Sequence, residues 1–280
     1  RMLLQSNDDM ILGIISQEAL MDIVVRFLIS LVLLILIVAL SYWKNIDLEK
    51  DFLFSFARGF IQIILAGAIL TIIFDIEHIL LLYGVMLFMC GFAAHTGLSR
   101  YDYGELNSFK IQFAAISIAS MSIMILVPLI GIIPMVGEFL IPMGGSIISN
   151  TMVITNISLE RLYSDIKKSP GKIEAALALG DTPSNAISPI IRDSFRAGLT
   201  PSINRVAVLG IVTLPGYMSG MIIGGIEPVV AAIYQVIIFL MILASGFMGE
   251  IISAFLLKKE LFTEADQLLP GIYIKESKNE

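Results

Sequence analysis

Long runs of apolar residues, separated by short polar segments, are the main pattern along this chain. A helix rises about 1.5 Å per residue, so about 20 apolar residues cross the roughly 30 Å hydrocarbon core of a bilayer. Stretches of about this length with few charges occur seven times, at 21–43, 52–74, 79–95, 111–133, 139–158, 204–226 and 229–256. The pattern therefore predicts an all-α fold, a polytopic transmembrane helical bundle of about seven spans.

Lysine and arginine fall on alternate connections between these runs. The connections at 75–78, 134–138 and 226–228 contain none, whereas the other connections and their flanks hold all of the 18 cations except Arg1 and Arg26. Cationic residues flanking membrane helices favour the cytoplasmic side. The sequence therefore predicts an N-terminus outside, a cytoplasmic C-terminus and an odd number of spans, which favours seven.

Composition agrees with a membrane protein and indicates its domain organisation. Apolar residues make up 57% of the chain and charged residues 15%, against about 25% charged residues in soluble domains. The net charge of −6 gives no basic surface for nucleic acid, so the lipid bilayer is the expected environment. We expect an interfacial segment at 1–20, a membrane domain at 21–258 and a cytoplasmic tail at 259–280.

The cytoplasmic segment at 159–203 is too long to be only a connection between two spans. A Pro-Gly pair ends the preceding span, and the pattern predicts one helix at 172–179, ended by Gly180, and a second at 184–197, ended within 198–201. Two short amphipathic helices of this kind suit a segment that passes the motion of a soluble partner to the spans. The alternative is a solvated basic loop without a partner.

Part of this segment resembles the EAA loop of ABC permeases, a helix-turn-helix that docks into a groove of the ATPase. Where the loop would continue to a Leu-Pro pair, this chain has Arg192 and Asp193, so the second helix is predicted to continue, unlike that of a nutrient importer. The resemblance implies that the ATPase-coupling residues are Glu174, Ala175, Ala176, Gly180, Ile190, Arg192, Asp193 and Arg196.

Three stretches resemble the FetB-type family of small ABC permeases, over about residues 35–265. The most specific is the LPGYMSG run at 214–220, which resembles the LPGxMSG signature of that family. The second contains Ile141, Pro142, Gly145, Asn150 and Met152, with Ser149 in place of a family glycine, and the third contains Ile191, Arg192, Asp193, Ser194, Arg196 and Ala197.

The family is implicated in iron export and is related to plant aluminium-tolerance permeases. The resemblance implies a homodimeric permease in the inner membrane that exports iron or another metal cation with a separate ATPase. The sequence contains no Gly-x-x-x-x-Gly-Lys-Ser/Thr phosphate loop, so ATP and magnesium are expected on that partner. We therefore expect this chain to bind no cofactor itself and to be a transport subunit, not an enzyme.

Polar groups within the spans are candidates for the substrate pathway, because unsatisfied polar atoms are costly in hydrocarbon. Thioethers are additional soft metal donors, although methionine is also an ordinary core residue. The candidate pathway residues are Asn150, Met152, Pro215, Gly216, Met218, Gln235 and Glu250. The candidate metal ligands are Asn150, Met152, Met143 and Met218.

The sixth predicted span has two further features. Gly216, Gly220 and Gly224 recur every four residues, which predicts a helix face that another backbone can approach closely. Pro215 beside Gly216 either interrupts the span, as in transporters with discontinuous helices, or only kinks it.

Two other functions fit the same pattern. The permease could carry an organic substrate such as a nucleotide sugar, or the chain could be a membrane receptor or scaffold that binds a soluble partner without transport.

Overall fold

A computed structural model describes residues 17–74, 78–98 and 108–269. Most of the predicted interfacial segment and the end of the tail lie outside these residues. Ten helices form in the described part of the chain: α1 (Gln17–Lys44), α2 (Glu49–Phe74), α3 (Ile79–Leu98), α4 (Ser108–Leu129), α5 (Gly137–Lys168), α6 (Pro170–Ala178), α7 (Pro183–Ala186), α8 (Ser188–Ala207), α9 (Gly216–Ile223) and α10 (Pro228–Leu261). Of these, α1 to α5 and α10 are long and apolar enough to cross a membrane.

The chain divides into two compact units, of which the first covers residues 1–72. Its helices α1 and α2 expose large apolar side chains along their length, as expected of surfaces that face lipid. The Phe27 and Phe60 rings stack with their centroids 4.9 Å apart. A tight turn joins the two helices, with Asn45 and Asp47 at positive φ, which short polar side chains tolerate better than most.

The second unit covers residues 73–280, and its core is formed where α3, α4, α5 and α10 pack together. Glycines stand at the crossings, where a larger residue would collide with the neighbouring helix. A Cβ on Gly249 of α10 would lie 3.0 Å from the Thr151 methyl group, and one on Gly144 of α5 would lie 2.6 Å from the Met86 methyl carbon. Helix packing through small residues is typical of membrane bundles, because close approach gives van der Waals contact that lipid cannot displace.

The predicted span at 204–226, the sixth of about seven, is not one continuous helix. Helix α8 ends at Ala207, residues 208–215 are not in a long helix, and α9 holds only eight residues. Pro215 disfavours helical backbone at the residue before it, and Gly210 takes φ +77°. The sequence left open whether Pro215 and Gly216 interrupt this span or only kink it, and the structure has the interruption.

The two halves still pass from one end of the bundle to the other. Along α8, Gly198 lies against Ile154 of α5, and Arg205 lies against Asn150, one turn farther from the Lys168 end. Helix α9 then contacts the first half of α10. The described chain therefore has six helices that are long and apolar enough to cross a membrane, and an interrupted segment, α8 with α9, that runs along the bundle.

The predicted helix at 184–197 is also corrected. A turn at Ile187 divides it into α7 and α8, and α8 does not end within 198–201 but continues through Pro201 to Ala207. The reason is tertiary packing. Ser194, Gly198 and Ser202 recur every four residues and form the buried face of α8, so packing outweighs the local preference of Gly and Pro to end a helix.

Candidate functional site

A hydrophobic cluster joins the cytoplasmic helices to the ends of two membrane helices. Ile173 of α6 and Ile187 before α8 are almost fully buried in it, with 1% and 0% exposure. The cluster, called here the cytoplasmic cluster, consists of Ile111, Leu159, Leu162, Ile166, Ile173, Ile187, Ala254, Leu257, Leu261 and Leu268. Because one apolar core contains residues of α5, α6 and α10, a displacement of α6 is passed to both membrane helices.

The surface of α6 opposite the cytoplasmic cluster is exposed. Glu174 and Ala175 lie on it, and Leu179 at its end is 89% exposed. Gly180 follows with φ +90°, a left-handed conformation that glycine adopts without strain and that ends the helix as the sequence predicts. An exposed leucine next to a fixed turn forms an apolar projection suited to a groove on a partner.

The predicted coupling residues differ in their accessibility. Arg192, Asp193 and Arg196 are exposed on the first turns of α8, whereas Ala176 is half-buried and Ile190 is half-buried against the cytoplasmic cluster. The exposed residues are available to a partner, and Ile190 helps to attach the segment to the bundle.

The link between α6 and α8 is also fixed by polar contacts. The Thr182 hydroxyl accepts a hydrogen bond from the Asn185 amide and so caps α7. The Lys258 ammonium of α10 donates to the Ser184 hydroxyl at 2.7 Å. The segment is therefore a fixed attachment to α10 and not a free loop.

Asn150, a predicted pathway residue, contacts a cation that the sequence had placed in the cytoplasmic loop. Arg205 Nη1 donates to Asn150 Oδ1 at 2.8 Å, and Asn150 Nδ2 donates to the Ser146 carbonyl at 2.8 Å. Asn150 is half-buried and Arg205 is exposed. The amide is thus oriented by its own helix and presents its oxygen to the guanidinium.

Gln235, Met218 and Pro215 meet at the start of α9. Gln235 Oε1 accepts a hydrogen bond of 3.2 Å from the Met218 amide, one of the N-terminal amides that a helix leaves without an internal partner. Pro215 occupies the N-cap position. Gln235 therefore stabilises the interruption of the crossing, which is how a broken helix can persist in a bilayer.

The glycine face of α9 meets no neighbouring helix within the described chain. A Cβ on Gly216 or Gly220 would have no atom within 4 Å, and one on Gly224 would meet only carbonyls of its own helix. Close approach of another backbone to this face stays a prediction.

Glu250 lies at the crossing of α10 with α5 and α8. Its side chain is fully buried, and its Oε1 lies where a Cβ on Gly198 would be placed, close to Ser158 of α5. In the described part of the chain neither carboxyl oxygen makes a hydrogen bond of standard geometry, and the Ser158 side chain is a polar neighbour. A buried carboxyl with so little hydrogen bonding is costly, so it marks a candidate functional group.

The candidate thioether ligands have different surroundings. Met143 is buried in the core at 2% exposure, whereas Met152 and Met218 are half-buried. Within the described residues, no three His, Cys, Asp or Glu side chains come together as a metal site. The structure thus places Met218 beside Gln235 and Asn150 beside Arg205, with no acidic cluster at either pair.

Two polar contacts inside the bundle were not predicted. Gln112 Nε2 donates to Asn156 Oδ1, with Gly97 packed against the same amide. Ser245 of α10 bridges Thr151 of α5 and Ser120 of α4. The spacing of Thr151, Thr155 and Ser158 along α5 was a signal for such a polar face.

The similarity to known proteins extends over most of the predicted membrane domain. The sequence profile of the uncharacterised protein family UPF0014 matches residues 24–262. The chain is 32% identical to a protein of Escherichia coli K12 named "Probable iron export permease protein FetB", over 86% of this chain and 93% of that protein.

Two further relatives come from a plant and a Gram-positive bacterium. "Protein ALUMINUM SENSITIVE 3" of Arabidopsis thaliana is 31% identical over 87% of this chain and 89% of its own length. "UPF0014 membrane protein YjkA" of Bacillus subtilis is 30% identical over 86% of this chain and 96% of its own length. No solved structure matches the chain significantly.

Proposed function

The chain belongs to the UPF0014 family and is a multi-pass membrane protein, and on this basis we propose that it is the membrane-spanning permease subunit of an ABC transporter. In this proposal a separate ATPase subunit binds ATP and magnesium, two copies of the permease form the membrane part, and the complex exports iron or another metal cation across the inner membrane. The relative named as a probable iron export permease supports the cargo.

The observation that carries the proposal is the continuous path from the exposed end of α6 to the middle of the membrane. Leu179 and Gly180 project from α6, which the cytoplasmic cluster attaches to α5 and α10. Helix α8 then runs without interruption for 20 residues, about 30 Å, from this cluster to Arg205. A push on α6 would be transmitted as a rigid displacement, as coupling to an ATPase requires.

The pathway is proposed to lie beside the interrupted crossing. Asn150 and Arg205 form one part of it, and the Gln235–Met218 contact at the start of α9 forms another. Closure of the ATPase on ATP would move α8 relative to α9 across the non-helical residues 208–215, which alternates access to the two sides. The metal ion is the cargo in this mechanism and not a resident cofactor.

The pathway also supports the proposed dimer. Arg205 is exposed although it lies beside Asn150, within the membrane part of α5. Charged groups at this depth in membrane proteins face protein or water. A second copy of the chain that covers this face, with water between the two, would satisfy that requirement.

The test is ATP-dependent uptake of radiolabelled iron into inside-out proteoliposomes that contain the chain and its ATPase. We expect accumulation with the active ATPase and none with a hydrolysis-dead ATPase. A double substitution, Glu174→Ala with Gly180→Val, should leave ATP hydrolysis in place and remove transport. Iron uptake that does not depend on ATP, or no interaction with any ATPase, would contradict the proposal and favour a receptor or scaffold.

A further inference from the structure

Arg205 is bonded to a residue near the middle of the uncharged stretch of α5. Its partner Asn150 lies 12 residues after Glu138 and 10 residues before Glu160, and α5 contains no charged residue between them. At about 1.5 Å per residue, the uncharged stretch between these glutamates has the length of a membrane span, and Asn150 is near its middle. The guanidinium bonded to Asn150 therefore also lies near the middle of the bilayer.

In the described part of the chain, Arg205 has one assigned side-chain hydrogen bond, to Asn150. A guanidinium has five N–H donors, and the one assigned hydrogen bond uses Nη1 toward Asn150. In the described part of the chain no carboxylate forms an ion pair with Arg205, and the side chain is exposed. A cation this deep in a membrane requires an anionic or polar partner.

We propose that Arg205 and Asn150 form an anion-binding subsite in the transport pathway, and that the cargo passes this point with carboxylate or phosphate oxygens attached. This inference rests on the proposed function. A bare metal cation would be repelled by the guanidinium, whereas a metal ion carried by a polycarboxylate, or an organic anion, would be attracted to it. The planar fork of arginine matches the two oxygens of a carboxylate or phosphate.

The surroundings of the pair agree with this chemistry. Hydrogen bonding to Ser146 fixes the Asn150 amide, so the guanidinium is oriented before any ligand arrives. A bare cation would instead need several carboxylate, His or Cys ligands together, and the described residues contain no such group of three. The subsite is therefore suited to the anionic part of a cargo and not to its metal.

Direct binding to the purified permease alone tests this inference independently of any ATPase. The permease in lipid nanodiscs is titrated with four probes: radiolabelled citrate, iron(III) citrate, ferrous iron alone and a uridine-diphosphate sugar. We expect at least one anionic probe to bind saturably and ferrous iron alone to bind more weakly. A preference for iron citrate, citrate or the nucleotide sugar identifies which source supplies the oxygens.

Three variants at the subsite and one control define the result. Arg205→Gln should weaken binding of the anionic probe at least about tenfold, the loss expected for charge-assisted hydrogen bonds, and Arg205→Lys should weaken it less. Asn150→Asp should weaken it similarly, because its carboxylate would pair with Arg205, and this variant serves if Arg205→Gln does not fold. Arg26→Gln, which removes a cation paired with Asp22 in α1, should bind as the wild type does.

The inference is overturned if no anionic probe binds saturably, if ferrous iron alone binds more tightly than each anionic probe, or if the folded Arg205 and Asn150 variants bind the anion as the wild type does. Failure of the proposed function has a different signature. The anion would then bind through Arg205, while ATP-driven transport would be absent in proteoliposomes.

Discussion

The carboxylate of Glu250 lies against the backbone of Gly198, in the position that a side chain on that residue would occupy. The same added Cβ would lie 2.8 Å from the Ile154 carbonyl oxygen and 3.2 Å from the Ser158 Cβ. Helices α5, α8 and α10 therefore meet at a point where only glycine fits. This contact lies between the cytoplasmic cluster and the Asn150–Arg205 pair, so it is part of the path along which α8 would transmit motion.

Gly198→Ala is expected to destabilise the protein by about 1–3 kcal/mol, the usual cost of overpacking a close contact. The carboxylate can move, but the Ile154 carbonyl is backbone and cannot move without shifting α5. Thermal unfolding of the purified protein in detergent measures the effect. Gly171→Ala on α6 is the control, because its Cβ would meet no atom within 4 Å, and it should unfold like the wild type. Equal stability of Gly198→Ala and wild type would show that the helices separate easily here.

Glu250→Gln is expected to keep or increase stability and to reduce transport. The substitution preserves the shape of the side chain and replaces an ionisable carboxyl, which makes no hydrogen bond of standard geometry in the described chain, with a neutral amide. Unfolding in detergent and ATP-driven iron uptake in proteoliposomes are compared for the same preparation. Glu264→Gln, at an exposed position after α10, is the control for loss of a carboxylate. Full transport by Glu250→Gln would show that this carboxyl has no role in the pathway.

The sequence was sufficient to predict the membrane helices, because a long apolar run is a local signal. Apolar length alone located α1, and a glycine after an apolar run predicted the end of α6 at Gly180, where the structure has φ +90°. It was not sufficient for α8, since Gly198 and Pro201 are local signals for a helix end. The contacts that override them, to Glu250 and Ile154, are more than 40 residues away in sequence.

The same limit applies to Arg205. The distribution of lysine and arginine over the connections assigns Arg205 to the cytoplasmic side. The residue lies at the start of a predicted span, so it is counted with the connection that precedes that span. Its position is set by its long-range contact with Asn150, 55 residues away. The repeat of Ser194, Gly198 and Ser202 every four residues was the signal that α8 continues into the membrane. The interruption after α8 had a signal in Pro215 and Gly216, but its stabilisation by Gln235 depends on another helix.

Gln235→Leu is expected to destabilise the start of α9 by about 1 kcal/mol, the usual value of a helix-capping or single hydrogen bond. The substitution leaves the half-buried Met218 amide without its acceptor. Hydrogen exchange at that amide should become faster while the rest of α10 is unchanged. Gln235→Glu keeps an acceptor oxygen at the same position and should exchange more slowly than Gln235→Leu. Identical exchange in both variants would show that the cap does not hold the broken helix.

Leu179→Asp is expected to weaken association with the ATPase at least about tenfold without changing the stability of the permease. The leucine is 89% exposed, so the substitution removes almost no packing within the chain, whereas burial of a leucine in a partner groove contributes about 1.5–3 kcal/mol. Leu179→Met, which keeps an apolar side chain of similar volume, should bind nearly as the wild type does. The dissociation constant is measured with the permease in nanodiscs and the soluble ATPase, with thermal unfolding as the stability check.

If Leu179→Asp binds the ATPase with unchanged affinity, the exposed end of α6 is not the docking surface, and the exposed face of α8 near Arg192 becomes the next surface to test.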